Sequence, residues 1–531
     1  MVGIDAQSMV DDSGVVLPDG FASIEQYAGE LMATFNKHAA FPKINIVEFF
    51  VSRQWDRVPE EWRRFFDSPQ FDISSLIPMA SRGVAPEGAP VSLREYVDAA
   101  FKLRLPRDPV PSQDTADQSE IIKYFLDGMG EKKRKEVVEL SQLIDGVARE
   151  TGSKLVVDVG AGQGYLSRVL AYSSSLSKHS VLAVDFSEGQ KRGAEALHQS
   201  MAKKLRSRKA RAEGYEWKDE LRARLDHRIL RVDMDNTGEV VSAAQAACQS
   251  KGETRWMLCG LHACGNLSSA ILKTFAESDA AAVVLVPCCY NHISEAVPEG
   301  KASNQTAPTV GFPLSQGVLR SAHLGIDALK SACQASGRWE TDAAGALGAF
   351  KRGYHRALLH YLMVTYGQLS VEDSVPVVGK VTNNDLKAVI ARGVVAAPSS
   401  GSGEADIDTE AGTEAGREFA VYALAALEKM KHAWRPTVAQ CVECQRSMDH
   451  GLQQIAAVWT LKAITGPLVE SLLIVDRALY LRECCGAGGI VRAFALFDVV
   501  DSPRNLVLVA QRANTPDTGN GKEEGKAGIN C

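Results

Sequence analysis

Three glycines at alternating positions follow a short apolar run that contains one acidic residue. The run spans 155–159 and includes Asp158, and the glycines are Gly160, Gly162 and Gly164. Apolar runs of this length are typical of buried parallel strands, and glycines just beyond a strand let the backbone turn sharply and approach a ligand. Because open α/β sheets bind small molecules at the carboxyl ends of their strands, the sequence predicts a ligand above this turn.

The spacing of the glycines indicates which ligand this is. A dinucleotide fingerprint has the pattern G-x-G-x-x-G, with the pyrophosphate on a helix N-terminus, but Tyr165 stands where its third glycine would fall. Asp158 would also repel a pyrophosphate, whereas it suits a cofactor with positive charge near the turn. S-adenosylmethionine carries a sulfonium and an α-ammonium and no phosphate. The sequence therefore predicts S-adenosylmethionine, with a nicotinamide or flavin nucleotide as the alternative.

A second acidic residue ends the next apolar run. Asp185 follows residues 181–184, where it is placed to accept hydrogen bonds from the hydroxyls of a cofactor ribose. Acidic residues at the ends of two strands make the prediction of a nucleoside site more specific than the glycine-rich loop alone would.

Two further segments follow predicted strands and are expected at the same edge of the sheet. The first reads GLHACGNL at 260–267 and the second VPCCYNH at 286–292. His262 suits a general base near neutral pH, and Tyr290 could stack on a planar substrate. Because functional residues concentrate in loops that a rigid scaffold positions, both segments are predicted to face the methyl group of the cofactor.

The cysteines of these two loops admit more than one interpretation. Cys264, Cys288 and Cys289, with His292 or His262, would supply enough soft ligands for tetrahedral zinc. However, adjacent cysteines are a poor chelating pair, and neither loop has the usual C-x₂-C spacing. We therefore predict packed free thiols and no metal site, with zinc as the alternative. A cysteine nucleophile also stays open, although no residue in the sequence is identifiable as lowering the pKa of a thiol.

The composition is that of a globular protein with several domains. The chain has 531 residues, 45% of them hydrophobic and 23% charged, with a formal net charge of −6. Eleven cysteines in so long a chain indicate reduced thiols, and hence the cytoplasm or the nucleus. The N-terminus does not read as a basic leader before an apolar run, and no uninterrupted apolar run reaches the ~18 residues that span a bilayer. Secretion and a membrane partner are therefore not expected.

Two basic segments stand out in this acidic chain. The run KKRK at 132–135 begins a predicted helix over 131–150, although the helix dipole disfavours positive charge at that end. Residues 189–231 contain thirteen Lys and Arg against six Asp and Glu. Such surfaces contact phosphates in nucleic-acid-binding proteins, and a solvated helix face is the alternative for both.

The alternation of strands and helices predicts an α/β fold. The predicted strands of the core are 155–159, 181–185, 227–232, 255–261 and 281–286. Helices between them imply a parallel sheet with right-handed crossovers. Two later strands, 490–497 and 505–512, are joined by a short connection and predict an antiparallel hairpin. A parallel five-strand core closed by such a hairpin is typical of class I methyltransferases.

We expect six regions along the chain. They are a disordered start (1–20), an N-terminal helical region (21–118), the core with the first five strands (119–314), a helical insert (315–481) with a disordered loop (396–416), the two strands that complete the core (482–512) and a disordered tail (513–531). The large helical regions around the sheet favour RNA or protein over a small metabolite as the molecule acted on.

Several blocks of the sequence resemble the methyltransferase-like protein 25 family. They are the turn at 155–166, GLHACGNLS from Gly260, PCCYNHIS from Pro287, GFPLS at 311–315, RALYL at 477–481 and DSPRNL at 501–506. GMGEKKRKEV from Gly128 resembles the family's Met-x-x-Lys-Lys-x-His-Glu helix start, but with Lys135 in place of the histidine. The resemblance implies a Rossmann-like, S-adenosylmethionine-dependent methyltransferase fold; it does not supply the acceptor. We predict that the methyl group is transferred directly to the acceptor.

The resemblance also implies roles for individual residues. Asp158, Gly160, Ala161, Gly162 and Gly164 would form the cofactor turn, Asp185 would hold the ribose and Asp233 would approach the adenine; His262, Cys264, Cys288, Cys289 and Tyr290 would line the acceptor side. Of the acceptor-side residues, His262, Cys288, Cys289 and Tyr290 are the predicted catalytic group. The alternative function is a non-catalytic scaffold of the same fold that binds the cofactor and, in one version, zinc.

Overall fold

The computed structural model describes residues 14–110, 125–126, 128–172, 179–206, 224–296, 310–373, 377–393 and 414–513. Most of the predicted disordered segments, namely 1–13, 396–413 and 514–531, lie outside this part of the chain. Residues 14–20 are inside it and are ordered, contrary to the prediction: Val15 forms a bridge with Ala493. The apolar side chains of 15–17 account for the difference, because all three are buried.

Seven strands are present among the described residues. They are β1 (Leu155–Val159), β2 (Ser180–Asp185), β3 (Leu225–Ile229), β4 (Trp256–Ala263), β5 (Ala282–Pro287), β6 (Ile490–Ala495) and β7 (Leu506–Gln511). Each of the seven predicted strands corresponds to one of them. β3 departs most from its prediction, because it begins two residues earlier and ends three residues earlier.

The helices fall before, between and after the first five strands. In chain order they are α1 (Ile24–His38), α2 (Glu60–Phe66), α3 (Leu76–Arg82), α4 (Val91–Leu103), α5 (Glu131–Thr151), α6 (Tyr165–Tyr172), α7 (Glu188–Leu205), α8 (Thr237–Lys251), α9 (Asn266–Ala276), α10 (Ile326–Ala332), α11 (Ala343–Thr365), α12 (Asn383–Ala391), α13 (Glu414–Lys429), α14 (Val438–Arg446) and α15 (Gly451–Cys485). Helix α13 includes residues 414–416, which were predicted to belong to the disordered loop.

The strands form one sheet in the order β3-β2-β1-β4-β5-β7-β6. The first five strands pair in parallel, and β7 pairs antiparallel with both β5 and β6. This confirms the predicted Rossmann-like sheet with an antiparallel terminal hairpin. The order reverses at β1, which lies between β2 and β4, and such a switch point opens a crevice at the carboxyl ends of the strands.

Helices cover both faces of the sheet. Val156 of β1 and Met257 of β4 belong to one apolar core with residues of α5 and α6. The intervening residues Leu155 and Val157 are equally buried and point to the opposite face, where α8 and α9 contact the central strands. Burial on both faces explains why these strands read as continuous apolar runs.

The chain divides into two compact units. Unit 1 comprises 1–37, 102–334 and 466–531 and contains the whole sheet, and unit 2 comprises 38–101 and 335–465. Within the described residues unit 2 has helices and no strand. Its core includes an aromatic cluster in which the rings of Phe41, Trp62 and Tyr96 lie 5.4–5.7 Å apart. The predicted N-terminal helical region is thus divided between the two units.

One helix of the described residues, α15, is long and apolar enough to cross a membrane. Of its most apolar 18-residue window, 83% is buried inside the protein. Within α15, Glu470 is only 2% exposed and accepts a hydrogen bond from Tyr290. Burial within the protein accounts for the apolar composition of this helix.

Candidate functional site

The glycine turn joins β1 to α6 and is bonded to the end of β2. Gly160, Gly162 and Gly164 have φ values of 76°, 54° and 65°, which side chains of L-residues rarely adopt. The N–H groups of Gly160 and Ala161 donate to the carbonyl oxygen of Val184 at 2.9 and 3.1 Å. Apart from its two chain neighbours, no atom of the described residues lies within 4 Å of the position that a Cβ on Gly162 would occupy. The backbone there is therefore open to a ligand.

Asp185 connects β2 to the glycine turn. Its Oδ2 accepts a hydrogen bond from the Gly162 N–H at 2.9 Å, and its Oδ1 accepts one from the Ser187 N–H at 2.9 Å. Each carboxylate oxygen can accept a further hydrogen bond, as from the hydroxyl groups of a ribose. A hydrogen bond thus joins the glycine turn to Asp185, the acidic residue that ends β2.

Phe186 was missed by the sequence analysis. It follows Asp185 directly, and its side chain is 73% exposed although it is large and apolar. An exposed aromatic ring can stack on a nucleobase, because every base has a π-face. The signal in the sequence was a large aromatic residue immediately after the acidic residue that ends β2.

Asp158 lies inside the protein beneath the turn. It is 2% exposed, and its carboxylate accepts a hydrogen bond from the Ser167 hydroxyl on α6. Burial, with a smaller contribution from the charge of Asp185, raises the pKa of Asp158 to about 6 although hydrogen bonds from Ser167 and Cys259 oppose the rise. In this structure Asp158 supports the turn through α6, and its predicted contact with the cofactor stays a prediction.

Asp233 lies in the loop after β3, four residues beyond the last residue of that strand. Its Oδ1 accepts a hydrogen bond from the Asp235 N–H at 3.1 Å, and its own N–H donates to Asn236 Oδ1 at 2.9 Å. These bonds form a local turn that leaves the Asp233 side chain 42% exposed. An approach to the adenine is compatible with that exposure and stays a prediction.

His262 stands in a strained backbone conformation at the end of β4. Its φ is 59°, and the register of β4 against β5 shifts between Leu261 and Ala263. Irregularities of this kind re-aim side chains and are frequent beside active sites. The ring Nε2 of His262 lies 3.0 Å from Glu136 Oε2, and the histidine side chain is 29% exposed.

Glu136 is a second residue that the sequence analysis did not single out. It lies on α5 and is 2% exposed. Burial alone would raise the pKa of Glu136, but the hydrogen bond and charge of His262, together with Ser502 and Lys132, outweigh it and hold that pKa below its usual range. The sequence did contain a signal for Glu136, because this residue occupies the last position of the Met-x-x-Lys-Lys-x-His-Glu pattern that resembles the family.

Three cysteines meet at the ends of β4 and β5. The Sγ atoms of Cys264, Cys288 and Cys289 all lie within 4.8 Å of one another, with 3.0 Å between Cys264 and Cys288. The hydrogen bond from Cys288, aided by Cys289 and the nearby His262 and His292, lowers the pKa of Cys264 to about 6 against the opposing effect of burial. The structure therefore brings together the thiols that the sequence places 24 residues apart.

Tyr290 does not fit its predicted role as a stacking platform for a substrate. Its side chain is fully buried, and its hydroxyl donates to Glu470 Oε1 at 2.8 Å. Arg107 and Arg504 pair with the same carboxylate. The pattern around Tyr290 could not reveal this role, because Glu470 lies 180 residues away in the chain. Through this hydrogen bond Tyr290 anchors residues 288–292, here called the cysteine loop, to α15.

Residues in or directly beside three of the sequence blocks, at 260–268, 311–315 and 477–481, are joined by hydrogen bonds. The carboxylate of Asp476 accepts hydrogen bonds from the N–H groups of Leu314 and Ser315 at 2.9–3.0 Å and from the Ser315 hydroxyl at 2.8 Å. The next residue, Arg477, donates to the hydroxyl of Ser269 on α9 at 3.3 Å. Helix α15 thus connects the segment 311–315 to α9, the helix that follows residues 262–265, here called the histidine loop.

The strand order, the glycine turn after β1 and the acidic residue at the end of β2 define a class I methyltransferase fold. Residues 132–296 match the family described as "Methyltransferase domain". It is also similar to a protein of Mus musculus described as "Probable methyltransferase-like protein 25", with 24% identity over 259 residues. This match confirms the resemblance predicted from the sequence blocks.

The similarity to the mouse protein is partial on both sides. It covers 48% of this chain and 37% of the mouse protein, which is well under two thirds of the relative's length. No solved structure matches the chain. The family match and the fold therefore both support a methyltransferase domain within the chain.

Proposed function

We propose that the protein is an S-adenosylmethionine-dependent methyltransferase. The observation that carries the proposal is the continuous edge made by the open Gly162 backbone, the Asp185 carboxylate and the exposed Phe186 ring. These groups suit a backbone contact, a ribose and an adenine respectively. When bound, S-adenosylmethionine supplies an electrophilic methyl carbon. The chain's own residues would hold the nucleoside and orient the acceptor.

The acceptor side is formed by the loops after β4 and β5. His262 is positioned by Glu136 and is partly exposed, so it suits the removal of a proton from an acceptor atom. A carboxylate that accepts from one ring nitrogen fixes which nitrogen is free to act as the base. Holding the acceptor in line with the methyl carbon would supply most of the rate enhancement.

We propose RNA or protein as the acceptor class. The support is electrostatic: KKRK at 132–135 begins α5, the helix that also carries Glu136, and the side chains of Lys132 and Lys135 are each about half exposed. Lys132 pairs with Glu136 and Lys135 with Asp501, but Lys133 and Arg134 are exposed as well. Their charge close to the acceptor loops favours an anionic macromolecule. Much of the second basic segment, 207–223, lies outside the described residues.

Calorimetry with S-adenosylmethionine and with S-adenosylhomocysteine tests the cofactor. We expect Phe186→Ala to weaken binding by about 1–3 kcal/mol, the usual value of base stacking, without loss of stability because the ring is exposed. We expect Asp185→Asn to weaken binding by a similar amount through the lost charged hydrogen bonds. Asp226→Asn, at an exposed acidic residue of the neighbouring β3, is the matched control and should bind as the wild type does.

Wild-type affinity in both Phe186→Ala and Asp185→Asn would contradict the proposed site. Tight binding of NADH would favour a nicotinamide enzyme instead. Incubation with methyl-labelled cofactor and cell extract then identifies the acceptor class, by label in RNA or in protein. Cofactor binding with no label in either fraction would support the non-catalytic scaffold in place of an enzyme.

A further inference from the structure

We infer that Cys264, Cys288 and Cys289 bind one zinc ion and leave a fourth coordination position open. The three Sγ atoms lie within 4.8 Å of one another, with 3.0 Å between Cys264 and Cys288 and 3.6 Å between Cys288 and Cys289. Thiolates at the usual zinc–sulfur distance of about 2.3 Å in tetrahedral geometry are about 3.8 Å apart. The distances of 3.0 and 3.6 Å are shorter than that value by about 0.8 and 0.2 Å, so small outward shifts of the thiols would accommodate the ion.

The donor set fits zinc in its chemistry as well as its dimensions. Thiolate sulfurs are soft ligands, which favour zinc over magnesium or calcium. Three thiols in one place are one more than a disulfide can use. The formation of one disulfide would therefore not account for all three cysteines.

The two loops that carry the thiols are held together independently of any ion. The Cys288 N–H donates to the Ala263 carbonyl oxygen at 3.3 Å, which fixes the start of one loop against the end of β4. Gly265, with φ of 55°, packs so closely on the other loop that a Cβ there would lie 2.5 Å from the carbonyl oxygen of His292. Adjacent cysteines such as Cys288 and Cys289 are a poor chelating pair by themselves. Here Cys264, in the loop after β4, supplies a third ligand from a separate segment.

The hydrogen bonds around the cluster support its ligands from behind. The Cys289 carbonyl oxygen accepts from the His292 N–H at 3.1 Å, and the Cys264 carbonyl oxygen accepts from the Leu267 N–H at 3.1 Å. Tyr290, next to Cys289, is fixed by its hydrogen bond to the buried Glu470. Metal sites depend on such outer contacts to orient their ligands.

The exposure of the three thiols predicts where the fourth position lies. Cys288 is buried, Cys289 is half-buried and Cys264 is exposed. The cluster is thus closed towards the core and open towards solvent at Cys264, at the sheet edge that also carries the glycine turn. Three protein ligands with an open position are typical of catalytic zinc sites, whereas structural zinc sites have four protein ligands.

Metal analysis of the full-length chain, purified under reducing conditions without chelator, tests the inference. We expect about one zinc per chain by inductively coupled plasma mass spectrometry. Cys264→Ser and Cys288→Ser should each lose most of it. The double variant Cys441→Ser/Cys444→Ser is the matched control, because it removes two cysteines of α14 that are buried and remote in sequence; it should retain the zinc.

A second measurement guards against variants that fail to fold. Replacing the zinc of the wild type with Co²⁺ should give the intense visible bands of a tetrahedral thiolate site. Those bands should be absent from Cys264→Ser, which alters an exposed side chain, while its circular dichroism equals that of the wild type. Bands of undiminished strength in Cys264→Ser would overturn the assignment of this ligand.

Three results would overturn the site itself. They are wild-type chain free of metal, a Cys264–Cys288 disulfide in the reduced preparation, or loss of zinc from the Cys441/Cys444 control alone. Zinc content is measured without S-adenosylmethionine, so this result is independent of the proposed function. A zinc-bearing chain that binds no cofactor would support the metal site and contradict the methyltransferase proposal.

Discussion

At the scale of single residues, the site depends on charged groups that are buried. Asp158 is the clearest case, because its pKa is raised to about 6, so the folded protein holds the proton of this carboxyl to a higher pH than the unfolded chain does. The usual pKa is 3.8, so between about pH 4 and pH 6 the folded state retains a proton that the unfolded state has released. Stability should therefore fall as pH rises through this window.

We predict that Asp158→Asn removes this dependence. The amide oxygen can still accept the hydrogen bond from Ser167, but the side chain no longer ionises. The difference in unfolding free energy between variant and wild type should increase by up to about 3 kcal/mol from pH 4 to pH 7, from the shift of roughly two units at about 1.36 kcal/mol each. Urea unfolding across that range measures it. A constant difference would show that Asp158 ionises in the folded protein as it does in the unfolded chain.

We predict that Glu136→Gln slows methyl transfer with little effect on cofactor binding. A neutral amide at this position would hold the His262 ring less firmly, because it replaces the carboxylate that contacts the ring Nε2. The loss in turnover should fall within the ~10²- to 10⁴-fold that general base catalysis contributes. Single-turnover assays measure it once the acceptor is known, and calorimetry checks the affinity. Glu139→Gln, one turn further along α5, is the control; a similar loss in both variants would indicate damage to the helix.

At the scale of elements, the strands were predictable and the side-chain contacts between distant segments were not. β1 was predicted to the residue, because burial on both faces makes it a continuous apolar run. β3 was misplaced at both ends, because among the described residues it pairs only with β2, lies at the edge of the sheet and consists of exposed and half-buried residues. An edge strand carries less of the apolar signal from which strands are predicted.

The sequence predicted where most of the site residues lie on the sheet, but it did not predict their hydrogen-bond partners. The glycine turn, Asp185 and the two loops follow from the rule that ligands bind at the carboxyl ends of parallel strands. The pairing of His262 with Glu136 spans 126 residues, and the hydrogen bond from Tyr290 to Glu470 spans 180. Such contacts depend on how α5 and α15 pack, which the local pattern of a single sequence does not specify.

The buried Glu470 allows a test of how α15 holds the cysteine loop. Burial would raise its pKa, but Arg107 and Arg504 outweigh that effect and keep the pKa of Glu470 below its usual range. We predict that Glu470→Ala destabilises unit 1 by about 3–5 kcal/mol, because two largely buried guanidinium groups lose their counterion. Tyr290→Phe should cost only about 1–3 kcal/mol, for one lost hydrogen bond.

Chemical unfolding of both variants measures these two costs. Ser471→Ala, at the next position of α15, is a suitable control, because its hydroxyl bonds to the carbonyl oxygen of Pro467 and the N–H of Leu105 rather than to Glu470. Equal costs for Glu470→Ala and Tyr290→Phe would show that the arginines find other partners when the carboxylate is removed.

At the scale of the whole molecule, the sheet and the candidate site belong to unit 1 alone. Every strand of the described residues, the glycine turn, the histidine loop and the cysteine loop lie within 102–334 or 466–531. Unit 2 has its own aromatic core and none of the predicted site residues. A ligand bound at the glycine turn should therefore stabilise unit 1 directly.

We predict that the cofactor slows hydrogen exchange in unit 1 and leaves unit 2 unchanged. A ligand at ~100 times its Kd stabilises the state that binds it by about 2.7 kcal/mol, which corresponds to roughly 100-fold slower exchange for amides that exchange only when unit 1 unfolds. Mass spectrometry of peptides from β1, β2 and β4 should report this slowing, and peptides from α11 and α14 of unit 2 should not. Asp185→Asn under the same conditions should show a smaller effect in unit 1. Equal slowing in both units would show that they unfold together, and no slowing in β1 would contradict the cofactor site.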